Sequence, residues 1–339
     1  MRKWLLTFGL WLVGISSILG AVPKDYFFSL SNCRVRPMGM GGAFTAIAGE
    51  LQTAFYNPAT FNLADLSHGL KLSVFFNPMV SIGLFDLYNK TNKELSVNEW
   101  WNVFRVLPKA VVLSTSRLEF GLVNHEELEE RVAYHPHVRF FEADHFFQYH
   151  AESAVLRMKL ATQVQIGGAV QYYTVLIGDS LRHGFGTSYG VFILPNPRVN
   201  IGVVFINVPN EMANVRLNAD RFEDETVNVG ISYHPFSLST VAIDVRNLTE
   251  ESQKTTRELH VGLEQGLWQH LFLRLGYYRD RLLKEDHYSA GIGLLNLNLF
   301  QRGENHFSVP VLALNYAISV TNTEINPTRW HFFSLTWGF

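Results

Sequence analysis

The chain has 339 residues, of which 47% are hydrophobic and 14% aromatic, and its formal net charge at pH 7 is −2. This near-neutral balance gives no electrostatic reason to expect a nucleic-acid partner. The aromatic content suits a protein that places tyrosine and tryptophan at membrane–water interfaces, although many soluble proteins have a similar mean hydropathy.

The first segment, residues 1–21, has the pattern of a cleavable secretory signal peptide. Arg2 and Lys3 precede an apolar run, and the small residues Gly20 and Ala21 follow it. The alternative interpretation is a membrane anchor, for which the run is short. No later window offers about 18 consecutive apolar residues, so we predict an exported protein without a helical membrane span.

Residues 22–69 differ in composition from the rest of the chain and contain two motifs. Gly39-Met40-Gly41-Gly42-Ala43-Phe44-Thr45-Ala46 precedes Phe55-Tyr56-Asn57-Pro58-Ala59. Gly39, Gly41 and Gly42 permit positive φ and close backbone approach in a crowded interior. Asn57 before Pro58 favours a turn, because its side chain can bond neighbouring backbone groups. An Asn-Pro pair alone is more typical of an ordinary surface turn.

From about residue 70 onward the sequence alternates apolar and polar residues with period two. In Leu259-His260-Val261-Gly262-Leu263-Glu264 the odd positions are apolar, and the even positions are polar or small. Short and long connections also alternate, as they do in outer-membrane barrels. We predict fourteen strands, near 70–87, 109–115, 117–123, 147–157, 161–174, 187–194, 198–206, 226–233, 238–246, 257–265, 270–278, 287–295, 307–320 and 329–339. The expected fold is an all-β, transmembrane antiparallel β-barrel over residues 70–339.

Two places in this pattern have predicted roles. Asn77-Pro78 interrupts the first strand, because proline cannot donate to the strand ladder, and a strand kink there is a candidate lateral gate. At the other end, Phe333, Leu335, Trp337 and Phe339 share one face of the last strand. That terminal strand resembles the signal by which the barrel assembly machinery recognises its clients.

The glycine-rich stretch followed by Asn57-Pro58-Ala59 resembles the N-terminal signature of the FadL-like outer-membrane proteins, and is most similar to their PorV/PorQ branch. The resemblance implies a fourteen-stranded barrel whose N-terminal segment is a hatch that plugs the lumen, with Gly39, Gly41, Gly42 and Asn57-Pro58-Ala59 in it. Gly49-Glu50-Leu51 and Thr60-Phe61 depart from the usual pattern, which puts the details of the plug in question.

The sequence gives no indication of an enzyme or of a cofactor. No G-x-S-x-G, Walker A, dinucleotide or zinc-finger motif is present. His135-Pro136-His137 could chelate a metal, but no tetrahedral ligand set follows at the required spacing. Cys33 is the only cysteine, so no disulfide forms within the chain. The polar residues on the predicted strand faces either line a path or form ion pairs inside a plugged lumen: Asp244, Arg246, Glu258, His260, Glu264 and Arg274.

Three functions are compatible with these features. The FadL-like resemblance implies an outer-membrane channel for hydrophobic small molecules such as fatty acids or aromatic hydrocarbons. The PorV-like resemblance implies a component of type IX secretion that delivers protein cargo at the bacterial cell surface. A structural barrel without a transport role is the third. The compact external loops favour the channel, whose partners would be outer-membrane lipid and a hydrophobic solute.

Overall fold

The computed structural model describes residues 34–63, 69–78, 100–101, 107–126, 150–177, 180–208, 225–248, 257–267, 270–280, 284–295, 312–322 and 328–338. Helix α1 (Val35–Gly39), helix α2 (Thr53–Tyr56) and a 3₁₀ helix (Pro58–Thr60) precede the sheet. No helix among these residues is both long and apolar enough to cross a membrane. Fourteen strands follow: β1 Leu70–Phe76, β2 Pro108–Thr115, β3 Leu118–Glu126, β4 His150–Ala161, β5 Val164–Ile177, β6 Ser180–Asn196, β7 Val199–Asn207, β8 Glu225–Tyr233, β9 Ser239–Arg246, β10 Glu258–Gly266, β11 Leu271–Asp280, β12 Glu285–Leu295, β13 Leu312–Asn322 and β14 Thr328–Gly338.

The strands form a closed antiparallel barrel in which each strand pairs with its neighbours in sequence. The barrel closes where β1 pairs with β14, at Phe75 opposite Gly338 and Phe76 opposite Trp337. Closure leaves the sheet without a free edge, which is how a β-structure satisfies its backbone hydrogen bonds in lipid. The predicted fold class and the predicted strand count are both confirmed.

The period-two pattern places opposite chemistry on the two faces of each strand. On β10, the side chains of Glu258, His260 and Glu264 are buried and face the lumen, whereas Leu259 and Leu263 are exposed on the outer face. The same alternation runs around the barrel, and its exposed apolar side chains include Leu72, Leu122, Leu156, Val191, Val203, Ile231, Ile243, Leu275 and Ile292. So large an apolar outer surface is typical of a barrel that faces lipid.

The described part of the first strand ends where the sequence predicts an interruption. We predicted one strand over 70–87 interrupted at Asn77-Pro78; β1 as described runs to Phe76, and Asn77 and Pro78 follow it. The ladder is irregular one step earlier, since Phe75 pairs with Ala110 and Phe76 with Pro108. The Asn77 N–H donates to the Leu107 carbonyl oxygen (3.2 Å), after which Pro78 has no N–H to contribute. Residues 79–99 lie outside the described part of the chain.

The β5–β6 hairpin is longer than predicted. We expected a loop over 175–186, but β5 continues to Ile177 and β6 begins at Ser180. The extension carries outward-facing aromatic and apolar side chains, and the Tyr172 ring lies 5.1 Å from that of Phe185. Cross-strand aromatic pairs of this kind stabilise a hairpin beyond the point at which its polar residues suggest a turn.

An arginine at the outer face tests whether this face meets lipid. Leu263→Arg, near the middle of β10, is expected to destabilise the barrel by about 2–4 kcal/mol, because the guanidinium would enter the hydrocarbon region. Urea-induced unfolding in phospholipid vesicles measures the effect. Leu267→Arg, at an exposed leucine just past the end of β10, is the matched control. Equal destabilisation by the two substitutions would contradict the assignment.

Candidate functional site

The candidate functional site is the lumen, where residues 34–63, here called the luminal segment, pack against the inward faces of the strands. Nearly all of this segment is buried, including Met40, Phe44, Tyr56 and Phe61. Its helices are only five, four and three residues long, so most of its backbone polar groups need other partners. Many of these partners are side chains of the wall.

The predicted glycines lie at the closest approach of the luminal segment to β11 and β12. Gly41 and Gly42 have φ of 61° and 77°, which side chains other than glycine rarely adopt. A Cβ at Gly41 would lie 2.6 Å from the backbone nitrogen of Tyr277. A Cβ at Gly39 would lie 3.3 Å from the Cα atom of Gly291. These glycines therefore permit backbone-to-backbone contact with the wall.

Asn57 fastens two parts of the luminal segment together. Its side-chain oxygen accepts a hydrogen bond from the Ala59 N–H (3.1 Å) and so caps the 3₁₀ helix that begins at Pro58. Its side-chain amide donates to the carbonyl oxygens of Thr45 (2.9 Å) and of Val191 on β6 (3.4 Å). The Asn-Pro-Ala motif is thus a buried turn that connects two parts of the luminal segment, and it is not an exposed turn.

Asp244 on β9 holds the centre of the luminal segment. Its side chain is fully buried, and one carboxylate oxygen accepts hydrogen bonds from the backbone N–H groups of Phe44 and Thr45, both at 2.8 Å. Hydrogen bonds to a charged acceptor are stronger than neutral ones, at about 1.5–3 kcal/mol each. Ser232 on β8 adds a bond to the next carbonyl, that of Ala46 (2.9 Å).

His260 on β10 holds the preceding turn. Its Nδ1 donates to the carbonyl oxygen of Gly41 (2.7 Å), and its Nε2 lies 3.1 Å from the Glu258 carboxylate. The ring stacks on Tyr278, at 4.6 Å between centroids, and Tyr278 stacks on His287 at 4.2 Å. The three rings come from adjacent strands in direct register. Stacking fixes the imidazole orientation that the Gly41 contact requires.

A charge cluster joins helix α1 to the wall. Arg36 donates to Glu264 on β10 at 2.6 and 2.8 Å and to Glu50 of the luminal segment at 2.5 Å. Glu264 also accepts from Arg274 on β11 at 2.6 Å. Burial raises the pKa of the Glu50 carboxyl, although the Arg36 guanidinium opposes the rise. The cluster therefore connects Glu50 to β10 through Arg36, and to β11 through Glu264 and Arg274.

A second ion pair holds the end of the luminal segment. Glu119 on β3 and Arg157 on β4 are cross-strand partners, both are buried, and their charged atoms lie 2.8 Å apart. Glu119 accepts the Leu63 N–H at 3.0 Å, and Arg157 donates to the Phe61 carbonyl oxygen at 3.2 Å. The backbone of the luminal segment thus supplies a hydrogen-bonding partner to each member of the ion pair.

The lumen has two chemically different sides. The inward faces of β8–β13, here called the polar arc, carry buried polar and charged side chains: Asn228, Ser232, Asp244, Arg246, Glu258, His260, Glu264, Arg274, His287, Ser289, Ser319 and Thr321. The inward faces of β1–β7, with Val208 just after β7, are mixed: they also carry buried polar and charged side chains such as Glu119, Arg157 and Gln171, and their apolar side chains are here called the apolar arc. Its buried apolar residues are Phe75, Ala110, Val112, Val123, Ala151, Val155, Ala169, Tyr173, Val175, Val204, Ile206 and Val208. These residues form one cluster with ten apolar residues of the luminal segment and Ala242.

The sequence identified part of this arrangement. Of the two roles proposed for the polar strand residues, ion pairing is observed for Glu264 with Arg274, and His260 lies beside Glu258. The pair Glu119–Arg157 was missed, although its members occupy lumen-facing positions of the alternating pattern. The sequence also did not indicate that glycines of the barrel wall contact the luminal segment. A Cβ at Gly167 or Gly276 would collide with the backbone of the luminal segment.

The remaining predicted residues lie away from these contacts. Phe333, Leu335 and Trp337 alternate with buried residues on β14, and Trp337 is exposed on the outer face. Phe339 and the histidines at 135 and 137 lie outside the described residues. Within the described part of the chain, no group of three or more histidine, cysteine, aspartate or glutamate side chains could hold a metal ion.

Comparison with solved structures finds proteins of similar fold. The toluene transporter TbuX of Ralstonia pickettii is 12% identical, with a TM-score of 0.47, over 91% of this chain and 98% of its own. The toluene transporter TodX of Pseudomonas putida is 12% identical, with a TM-score of 0.45, over 92% and 98%. The KdgM porin is 8% identical, with a TM-score of 0.35, over 56% and 93%. No protein-family model matches the chain, and a search of curated proteins finds no match.

Removing the Asp244 carboxylate tests its role as the central anchor. Asp244→Ala is expected to destabilise the barrel by about 2–4 kcal/mol, because two buried N–H groups lose their acceptor. Urea titration followed by tryptophan fluorescence measures it. Asp286→Ala is the control, since that carboxylate accepts the Tyr277 hydroxyl in a partly exposed position and should matter little. Asp244 would not be an anchor if both substitutions had the same small effect.

A pair of glycine substitutions separates backbone strain from crowding. Gly41 and Gly69 both have positive φ, but a Cβ at Gly69 has no neighbour within 4 Å. Gly41→Ala should therefore lower the free energy of unfolding by about 1–3 kcal/mol more than Gly69→Ala. The same urea titration checks the difference. Indistinguishable values would mean that the luminal segment does not press against β11.

Proposed function

We propose that the protein is a bacterial outer-membrane channel for hydrophobic small molecules, and that the luminal segment is its hatch. The observation that carries this proposal is the apolar arc. A channel for ions or sugars needs a polar lining around its lumen, whereas in this barrel an apolar cluster of inward-facing side chains lies among the polar and charged ones of β1–β7. The hatch interrupts the lumen, so passage requires that part of it move.

The substrate class follows from the chemistry of the apolar arc. Valine, isoleucine, alanine and aromatic side chains offer dispersion contacts and few hydrogen-bonding groups, which suits a fatty acid chain or an aromatic hydrocarbon. The FadL-like signature of the hatch implies the same class. TbuX and TodX, which have a similar fold, are described as toluene transporters. The apolar outer face is consistent with an outer-membrane location after export by the N-terminal signal peptide.

Protein secretion is the alternative that the PorV-like resemblance implies. In that role the barrel would bind cargo at the cell surface, and the apolar arc would serve only to pack the hatch. Purification from native membranes with secretion components, together with no solute uptake above protein-free vesicles, would favour this alternative over the channel.

Uptake into vesicles with a lipopolysaccharide outer leaflet tests the channel directly. Radiolabelled oleate and naphthalene should enter protein-containing vesicles faster than protein-free ones, whereas sucrose should not. Val204→Thr keeps the side-chain shape but adds a hydroxyl to the apolar arc, and it should lower uptake by about fivefold or more. Val203→Thr, the next residue on β7 but on the outer face, is the matched control. Equal rates for the two variants would remove the apolar arc from the path.

A further inference from the structure

The outer face of β11 and β12 changes its chemistry from one end of the strands to the other. Four cross-strand pairs on this face run from aliphatic through aromatic to charged side chains: Leu273–Ile292, Leu275–Ala290, Tyr277–Tyr288 and Arg279–Asp286. Leu275 is 58% exposed and Tyr288 is 51% exposed. The face therefore has the same order of chemistry as a lipid leaflet, from its acyl chains to its headgroups.

The charged end of this series lies at the end of the barrel that carries the long connections. Turns of two to five residues join β2 to β3, β4 to β5, β6 to β7, β8 to β9 and β10 to β11 at the opposite end. Short periplasmic turns and long external loops are typical of outer-membrane barrels. The ten residues of β11 span about 34 Å along the strand, which crosses an apolar band of about 25 Å at the usual tilt. Arg279, the ninth residue of β11, therefore lies at the extracellular boundary.

Two tyrosines mark this boundary below the arginine. The rings of Tyr277 and Tyr288 lie 5.3 Å apart between centroids, and the Tyr277 hydroxyl donates to the Asp286 carboxylate at 2.8 Å. Tyrosine is enriched where hydrocarbon meets the headgroups. The Arg279 Nε lies 3.8 Å from the same carboxylate, and its side chain is 57% exposed. The guanidinium is thus held just above the tyrosines and faces outward.

Two further cations accompany Arg279. Arg257 is exposed just before β10, at the same end of the strand next to β11, and Lys284 is exposed in the turn before β12. Arg257, Arg279 and Lys284 are here called the basic patch. With the Asp286 carboxylate beside them, three cations and one anion give this surface a net charge of +2. The side chains of Asp280 and Glu285 occupy inward-facing positions of the same two strands.

The other side of the barrel has a different charge at the same level. The outward-facing positions at this end of β3–β8 include carboxylates and histidines: Glu126, His150, Glu152, His183 and Glu225. An anionic headgroup is therefore attracted to the basic patch and repelled by the carboxylates of the opposite side.

We propose that the outer face of β10–β12 is a binding site for lipid A, the phosphorylated glycolipid of the bacterial outer leaflet. Arg257 and Arg279 bind a phosphate, because a guanidinium donates two parallel hydrogen bonds to phosphate oxygens. The tyrosines contact the sugar, and the acyl chains lie along the aliphatic pairs below them. The proposal rests on the outer-membrane location and does not depend on transport through the lumen.

Binding of purified lipid A to the folded full-length barrel tests the proposal. Native mass spectrometry in detergent with EDTA present measures the dissociation constant without bridging metal ions. Arg257→Gln with Arg279→Gln should weaken binding about tenfold. Arg117→Gln with Arg198→Gln removes two exposed arginines from turns at the opposite end, and this control should leave binding unchanged. Equal weakening by both double variants, or by neither, would overturn the site.

A gain in affinity separates the site from a mere loss of folding. Asp286→Asn removes the negative charge but keeps an oxygen that accepts the Tyr277 hydroxyl, so lipid A should bind about threefold more tightly. Unchanged or weaker binding by this folded variant would contradict the role of charge at the basic patch.

Two other lipids identify the group that is recognised. Lipid A without its phosphates should bind the unchanged protein at least tenfold more weakly than intact lipid A does. Phosphatidylglycerol, which has one phosphate and two acyl chains, should also bind at least tenfold more weakly. Equal binding of dephosphorylated lipid A would remove the phosphate contact, and equal binding of phosphatidylglycerol would replace lipid A by anionic lipid in general. All these measurements are made without solute, so their failure leaves the channel function untouched.

Discussion

The interior of this barrel depends on how a nearly irregular stretch of backbone is satisfied inside a closed sheet. Strands pair only with each other, so the luminal segment cannot join the ladder. Many of its N–H and carbonyl groups bond within the segment, and wall side chains bond others: the fully buried Asp244 carboxylate accepts two of its N–H groups. A buried carboxylate is tolerated only where such donors stabilise it. Segment and wall therefore depend on each other.

The distribution of these contacts gives the lumen its two sides. Charge-assisted bonds hold the luminal segment to the polar arc through Asp244, and to β3 and β4 through Glu119 and Arg157. Apolar contacts fill the space between these bonds. Glycines of the wall bring the two backbones together on both sides of the lumen, at Gly276 on β11 and at Gly167 on β5, because no side chain stands between them there.

Much of the fold followed from the sequence, because strand faces obey a period of two that no tertiary contact alters. The alternation in β10 predicted which residues face the lumen, and the number of strands was correct. The first strand is described as far as Phe76, just before the interruption predicted at Asn77-Pro78, and the rest of that prediction lies outside the described residues. The β5–β6 turn was misplaced because cross-strand aromatic contacts extended the hairpin past residues that favour turns.

Less of the candidate site than of the fold could be predicted from the sequence. Asn57 and the glycines were found through their motif, but the motif gave no partners for them. Glu119 meets the luminal segment across 56 residues of chain, Arg157 across 96 and Asp244 across 200. Such pairings are created by barrel closure, and no local spacing signals them. The PorV/PorQ assignment within the FadL-like resemblance stays a prediction.

Hydrogen–deuterium exchange of the intact barrel in lipid bilayers tests the central claim, which is that wall side chains hold the backbone of the luminal segment. Amides of residues 41–46 should exchange as slowly as those of β9 and β10, and Asp244→Ala should speed the exchange of the Phe44 and Thr45 amides at neutral pH. Fast exchange at 41–46 in the unchanged protein, or no effect of Asp244→Ala, would contradict the account.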